Sequence, residues 1–345
     1  MPSLAPDTAP PETDAAALAS FKALCAERGL LDRPQGLQAG DVVDGLTDDL
    51  TLLRFLQARK NDPPSALQQY ESASRFRADK SIVEVYNTIS IDDYEATRKL
   101  YPHWTGRRTR THLPILFLDV AHLHTDAMQH WRHTRALTDQ AAPDMAQRAG
   151  AFFDTLTRFI LPLCTAAAGT PVTKSIYLVD ARALSLKQAW NLREFAKEIS
   201  WILATCYPET IETIFVGSLV RGPANRAQVC NAPSYFGTIW GVMKKFVDPV
   251  TAAKLVILTE AQVLPALEGL VEHESIPLQC GGGFEVVHGM RPDLDAGLLE
   301  VLGKERPVML PEGPLKWRED GEGRRVLVAT GSTASGGREE VVAVL

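Results

Sequence analysis

Residues Tyr235–Thr259 read YFGTIWGVMKKFVDPVTAAKLVILT, and what each part of that stretch can fold into decides the architecture. Tyr235, Phe236, Ile239, Trp240, Met243, Phe246 and Val247 recur at three- and four-residue steps, the spacing of one helix face. The face is wide and aromatic, and only Lys244 and Lys245 clearly break it. Asp248 precedes Pro249, whose ring pushes the residue before it out of helical geometry, so the oily helix stops there. Asp248 is also a good cap for a second, short helix that has Pro249 in its first turn, where a missing N–H costs nothing. Thr251 and Lys254 stand three apart and share a face of that turn. The run LVIL follows at once and reads as a buried strand. An oily helix, a sharp stop, a cation beside a hydroxyl and a buried strand suit an apolar ligand with an anionic head.

The segment DPVTAAKLVIL resembles the DPVT-x-x-K-strand signature of the CRAL-TRIO lipid-binding family, in its phosphatidylinositol-transfer branch. Further matches follow in the right order. DDLTLLRFLQARK (Asp48–Lys60) resembles the family's N-terminal helix, and SIYLVDARALSL (Ser175–Leu186) resembles a strand and its following turn. YPE (Tyr207–Glu209) and NAP (Asn231–Pro233) resemble the tags on either side of the next strand. The likeness runs from Asp48 to Gly283 and leaves out both ends. It implies an N-terminal helical bundle packed on an α/β lipid-binding domain with a mainly parallel or mixed sheet and a mobile gate helix, here about Ser234–Val247. It also implies cytosolic phosphatidylinositol binding and transfer between membranes, with no catalysis and no resident cofactor. Such a protein attaches transiently to membrane surfaces and presents lipid for phosphoinositide synthesis by a kinase.

A carrier of this kind faces a simple physical problem. Exposing acyl chains costs about 0.8 kcal/mol per CH₂, so the tails need a dry cavity closed by an apolar lid. The membrane offers the tails the same relief, so selectivity has to come from the head group. Family members that bind phosphatidylinositol use the threonine and lysine of DPVT-x-x-K, here Thr251 and Lys254. They also use the glutamate of YPE, here Glu209, and the Arg-Lys pair after the first motif helix, here Arg59 and Lys60. Guanidinium and ammonium groups suit a phosphodiester, and a carboxylate accepts from inositol hydroxyls. The basic residue that commonly follows YPE is Thr210 here. Members that also bind phosphatidylcholine carry a serine and a threonine two apart on the strand; this chain has Ser175 and Tyr177, so a phenol reshapes that wall. Relatives that carry sterol or haem keep a second reading open, with Tyr177 as a phenolate ligand to iron.

Composition sets outer limits. The chain has 345 residues, 45% hydrophobic and 23% charged, enough for about two domains. Its net charge of −6 argues against general nucleic-acid binding. No apolar run approaches the ~20 residues of a spanning helix, and MPSLAPDTAPPETDAAA lacks the basic head and apolar core of a signal peptide. Cys25, Cys164, Cys206, Cys230 and Cys280 are scattered without metal-type spacing and fit reduced thiols in the cytosol.

Residues 1–14 read as disordered, 15–100 as a helical bundle, 101–290 as the lipid domain and 291–345 as a tail. In the bundle, a first helix turns Leu18, Phe21 or Ala23, Leu24 and Cys25 inward, and a second turns Leu50, Leu53 and Leu56 or Phe55 inward; NDPP (Asn61–Pro64) separates the second from a third. Leu113–Val120, Ser175–Ala181, Thr213–Val216 and Lys254–Thr259 read as strands, with Ile276–Val286 as a closing strand and glycine turn. Helical sequence from about Asp126 to Ala168 is interrupted near Pro143 and Pro162, and Ser185 caps one long amphipathic helix. The tail offers a hairpin, LKWRED-GEG-RRVLVAT, and then a flexible GSTASGGREE. Gly217–Cys230 is an insertion relative to the family. GRRTR (Gly106–Arg110) reads as a solvated loop able to touch anionic lipid. His122, His124, His130 and His133 have no carboxylate or cysteine pattern to complete a zinc site. Asp119 and Asp180 end strands without a nucleophile or base nearby, and no phosphate loop or nucleophile elbow supports an α/β enzyme.

Overall fold

The computed structural model describes residues 11–124, 128, 143–182, 184–217, 236–305 and 309–345. The N-terminal bundle comprises α1 (Pro11–Glu27), α2 (Asp49–Ala58) and α3 (Pro63–Asp79), followed by α4 (Ile82–Thr88) and α5 (Ile91–Arg98). Asp48 caps α2 by accepting from the Thr51 amide, and Asp62 caps α3 by accepting from Ser65. NDPP is therefore both a break and a helix start, with prolines where no N–H is needed. Helix α1 begins at Pro11, inside the stretch whose composition suggests disorder to residue 14. It packs through Phe21 and Cys25, both fully buried. The inward stripe of α2 is Leu52, Phe55 and Leu56 rather than Leu50 and Leu53. Both stripes are apolar, so periodicity could not choose between them; the T-shaped contact of Phe55 with Tyr70 on α3, at 4.9 Å, belongs to the one adopted.

The central sheet runs β1 (His103–Arg108), β2 (Pro114–Asp119), β3 (Ser175–Asp180), β4 (Ile211–Gly217) and β5 (Leu255–Leu258), in that spatial order. β1 is antiparallel to β2 and the other pairings are parallel. The expected solvated loop at Gly106–Arg110 is largely this edge strand. Gly106 has φ +86°, and a Cβ there would meet the Asp293 backbone at 2.4 Å. Arg107 pairs with Asp293 and lies over the Phe284 ring, while Arg108 pairs with Asp295 at 2.7 Å. Their charges are spent inside the protein.

The crossovers are α6 (Met145–Thr155) with α7 (Leu161–Ala168), α8 (Leu186–Asn191) with α9 (Arg193–Cys206), and α10 (Phe236–Met243) with α11 (Pro249–Ala253). Strands added consecutively through right-handed crossovers put all of these helices on one side of the sheet. That side carries Leu116, Tyr177, Ile214 and Leu255 in one row, and Leu118, Val179, Val216 and Ile257 in the next. On the other side, Ile115, Phe117, Ile176 and Leu178 pack against Val263 and Leu267 of α12 (Glu260–Glu268).

Several expected boundaries move. Pro162 does not interrupt its helix, because the preceding turn, Leu156–Ile160, widens to π geometry and accommodates the missing N–H. Met145–Ala168 is consequently one helical run of 24 residues, long and apolar enough to cross a membrane, contrary to the expectation that no run approaches that length. Its most apolar window is 67% buried within the protein, as a core helix is. The long helix expected from Ser185 divides at Leu192 into α8 and α9. Ile276–Val286 holds no regular strand: Gly281, at φ +89°, turns the chain back so that Pro277 and Phe284 form a single bridge.

After α13 (Ala296–Val301), β6 (Leu315–Glu319) and β7 (Arg325–Ala329) form the expected hairpin. The segment expected to be flexible folds into a small hairpin of β8 (Ser332–Thr333) and β9 (Gly336–Gly337), and β10 (Glu340–Val344) then pairs with β7. Lys316 is buried and donates to Gln38, Asp41 and Asn87, pinning this C-terminal sheet to the N-terminal segments. Of the Gly217–Cys230 insertion only Gly217, the end of β4, is described; residues 218–230, the NAP tag, Ser234 and Tyr235 lie outside the described residues.

Candidate functional site

The site begins with α11. Asp248 caps it as the sequence suggested, its carboxylate accepting from the Val250 amide at 2.9 Å and the Thr251 amide at 3.3 Å. The cap directs Thr251 and Lys254 toward the loop after α9, where Lys254 Nζ donates to Glu209 Oε2 at 3.0 Å. Both side chains of that pair are 19% exposed. Arg59, Glu209, Thr251 and Lys254 line one cleft of about 840 Å³, bordered also by Lys197 and Trp201 of α9. Four of the five head-group candidates thus come together from three distant segments. The fifth, Lys60, is exposed at the end of α2 with φ +53° and does not line the cleft.

Glu209 adopts φ +53°, uncommon for a residue with a side chain, so something must hold its loop. Tyr207 does this from below. Its hydroxyl donates to Asp154 Oδ1 at 2.7 Å and accepts from Arg77 at 2.9 Å. Arg77 in turn grips Asp154 through two bonds of 2.7 and 2.8 Å. Burial pulls the Arg77 guanidinium down, but the Asp154 carboxylate outweighs it and holds the group above its usual value. Thr210, where relatives commonly carry a cation, is buried instead: its hydroxyl donates to Tyr207 O at 2.8 Å, and its carbonyl accepts from the Ser175 hydroxyl at 2.7 Å. The YPE sequence pointed to Glu209, while Asp154 and Arg77 escaped notice because they are distant in sequence and belong to no motif.

The gate candidates divide. Ile239 is buried, and Trp240 packs, with Ile214 and Leu255, against the cluster of Ala181 and Val216 on the sheet side that also bears Tyr177. Met243 lies half-buried at the end of α10. Phe246 and Val247 line the same cleft as Glu209 and Lys254, beyond α10, and Phe236 starts the helix. The join between gate and cleft is fixed by the Asp248 amide, which donates to the buried Ser200 hydroxyl at 2.6 Å.

Ser175 and Tyr177 lie beneath, both buried. Tyr177 borders an apolar cavity of about 60 Å³ with Trp104, Leu116, Phe159 and Leu315. An engineered cavity that binds benzene is about 150 Å³, so an acyl tail enters here only if the walls move. Burial pushes the Tyr177 phenol above its ordinary value, with a hydrogen bond to Ser175 acting the other way. Neither the space nor the protonation favours a phenolate ligand to haem iron.

Other candidates have structural partners. Asp180 pairs with Arg182 at 2.6 Å, and Asp119 accepts from the Ala121 amide. His122 stacks on His288, and no group able to hold a metal occurs among the described residues; His130 and His133 lie outside them. Cys25, Cys164, Cys206 and Cys280 are buried free thiols.

A helical bundle on a parallel-dominated sheet, with an apolar helix beside a charged cleft, defines the class of CRAL-TRIO lipid-binding proteins. The family model described as "CRAL/TRIO domain" matches residues 99–282, and the chain belongs to that family. It is 26% identical over 239 residues to the SEC14 cytosolic factor of Candida glabrata, covering 69% of this chain and 72% of that one. The SEC14 cytosolic factor of Kluyveromyces lactis is 26% identical over 269 residues, 77% of this chain and 80% of its own length. The phosphatidylinositol/phosphatidylcholine transfer protein SFH7 of Arabidopsis thaliana is 24% identical over 250 residues, 72% of this chain and 42% of that protein. Among solved structures, that of Sfh5 superposes with a TM-score of 0.54 at 12% identity, covering 86% of this chain and 98% of that one, a likeness of fold.

Proposed function

We propose that the protein binds phosphatidylinositol and exchanges it between membranes without catalysing a reaction. The observation that carries this reading is the convergence of Arg59, Glu209, Thr251 and Lys254 on one cleft beside the gate helix. Arg59, Lys254 and the Thr251 hydroxyl receive the phosphodiester, and Glu209 accepts from inositol hydroxyls. The tails lie against the Val179, Ile214 and Val216 face once Trp240 swings away, since burial under the gate is what keeps them from water. The phosphatidylinositol/phosphatidylcholine transfer for which SFH7 is named supports the reading, and the two relatives named as cytosolic factors support a cytosolic location. A lipid held with its head group at an open cleft is presented to a phosphoinositide kinase without leaving the carrier. Sterol or haem in place of phospholipid has weaker support: a charged cleft adds little to the binding of a sterol, and the cavity of about 60 Å³ beside Tyr177 leaves no room for a haem ring.

Mass spectrometry of lipids that co-purify with the full chain, run beside Lys254→Ala, tests the assignment. Phosphatidylinositol in the parent and its loss from a folded variant are expected. Unchanged inositol-lipid loading in the variant, or a Soret band of stoichiometric intensity in the parent, would overturn it.

A further inference from the structure

The charged groups lining the head-group cleft divide into acids that have partners and cations that lack them. Asp248 accepts from the Val250 and Thr251 amides, Glu209 accepts from Lys254, and Glu194 lies 3.5 Å from Arg193 Nε. Glu198 shares its helix face with Phe195, which stacks on the buried Tyr101 ring at 5.6 Å. Burial, and after it the charge of Glu198, raises the Tyr101 phenol, so this half-buried carboxylate lies toward the core. Lys197 and Lys245 are exposed, and among the described residues their side chains make no ion pair or hydrogen bond.

These two ammonium groups belong to one corner of the cleft. The bond from the Asp248 amide to Ser200 Oγ joins the turn after α10 to α9. Lys197 stands one helical turn before Ser200, on the face it shares with Trp201, and Lys245 stands three residues before Asp248. A phosphodiester carries a single negative charge, which Arg59, Lys254 and the Thr251 hydroxyl already serve. Two further cations without partners repel each other, and an anion between them relieves that repulsion. A phosphomonoester matches the corner: it carries about −1.5 to −2 charges near pH 7 and three acceptor oxygens. Lysine binds phosphate as a point charge, without the fixed fork geometry of arginine. The cleft, of about 840 Å³, is in the size range of pockets that enclose small ligands.

We propose that Lys197 and Lys245 form a second phosphate subsite in this cleft, whose preferred ligand is an inositol ring bearing a phosphomonoester besides the phosphodiester. The inference rests on the phosphatidylinositol reading and deepens it by naming the phosphorylation state that the cleft favours. Phosphatidylinositol itself still binds through Arg59, Thr251 and Lys254, and the monoester adds contacts at the α9 corner. The same chemistry occurs in a lipid, a phosphatidylinositol phosphate, and in a soluble inositol phosphate.

Calorimetric titration of the full chain with glycerophosphoinositol and with its 3-, 4- and 5-phosphates, in the absence of any bilayer, reads the subsite. At least one phosphorylated form is expected to bind about twentyfold tighter than glycerophosphoinositol. Lys197→Gln and Lys245→Gln should each lower that ratio about fivefold. Lys187→Gln removes the same charge from α8, outside the cleft, and keeps the ratio. A second arm offers the protein phosphatidylcholine vesicles holding equal amounts of phosphatidylinositol and its three monophosphates, and weighs the lipid taken up by mass spectrometry. Preferential uptake of a monophosphate supports the subsite with a lipid source. Preference in the titration with no inositol lipid taken up supports it with a soluble source, and overturns the lipid-exchange reading instead. Uptake of phosphatidylinositol with no preference for a phosphorylated form in either arm overturns this inference alone, as does an unchanged ratio in both Lys197→Gln and Lys245→Gln.

Discussion

Lys254 Nζ lies 3.0 Å from Glu209 Oε2, so the cation assigned to a lipid phosphate already holds the carboxylate assigned to its sugar. The two are 19% exposed, in a cleft wide enough for solvent. Such a partly solvated pair contributes little to stability, about 0–1 kcal/mol. It does orient both groups, and a phosphoinositol offers each a new partner at once, phosphate to the ammonium and hydroxyl to the carboxylate.

Reversing the pair separates stability from recognition. Lys254→Glu with Glu209→Lys keeps an ion pair but exchanges the positions of donor and acceptor. The double variant is expected to melt with the parent and to carry no phosphatidylinositol, by calorimetry and lipid mass spectrometry on the same sample. Normal loading would mean that the cleft senses only net charge.

The support beneath Glu209 is far more consequential for folding. Asp154 has no exposed surface and neutralises Arg77 through two bonds, with Arg158, also buried, 3.8 Å away. Asp154→Ala leaves buried guanidinium groups without their carboxylate and should cost about 3–5 kcal/mol, read from the urea midpoint. The same change takes from Tyr207 its shorter acceptor and leaves only Gly150 O at 3.1 Å, which loosens the Glu209 loop, so lipid loading is expected to fall as well. A loss below about 1 kcal/mol would show that water replaces the carboxylate readily.

Acid should weaken the fold through histidines that do no lipid chemistry. His103 Nε2 accepts from the Gly289 amide at 3.2 Å, so that nitrogen carries no proton and Nδ1 donates to Tyr101 O. Burial, then Arg98, lowers His103 from 6.5 to about 3. His288 stacks on His122 with centroids 3.6 Å apart, and burial followed by His122 lowers it to about 4; Asp119 acts in the opposite direction, and Lys99 and Arg98 reinforce the fall. Both groups stay neutral in the folded protein while the unfolded chain takes up protons below about pH 6.5. Their contribution is therefore complete above that pH and is lost as pH falls toward the folded values. For His103 alone the loss between pH 7 and pH 5 is about 2 kcal/mol. Denaturation across that range checks it, and His103→Gln should flatten the profile.

The helix-stop-helix-strand order was legible around Asp248 because capping and proline chemistry are local. Four cleft residues were legible because their motifs place each of them at a turn or helix end. Interactions that join distant segments were not. Arg107 and Arg108 looked solvated because Asp293 and Asp295, which neutralise them, are more than 180 residues away. β1 was missed for a related reason: HWTGRR alternates poorly, and it becomes a strand only because β2 offers an edge. The glycines of Gly281–Gly283 allowed either a turn before a strand or a fold-back, and contact with Ile276 decided for the second.

Gate movement ought to depend on Ser200. Its hydroxyl, buried within α9, accepts from the Asp248 amide at 2.6 Å, the point where the apolar helix gives way to the head-group turn. Swinging Trp240 off the Ala181 and Val216 cluster requires the backbone to rotate near this amide, because α11 is held by its own cap and by Lys254 O, which accepts from Ile214 N at 2.9 Å. Ser200→Ala removes one acceptor from a partly buried donor and should cost about 0.5–1.5 kcal/mol locally. Most of that cost falls on the closed gate, so the opening equilibrium shifts by roughly threefold to tenfold while global stability changes little. Hydrogen exchange at Asp248 and along Ile239–Met243 should accelerate by that factor, and lipid should exchange between vesicles faster. If exchange accelerates at Asp248 alone, the hinge is local fraying and the gate turns elsewhere.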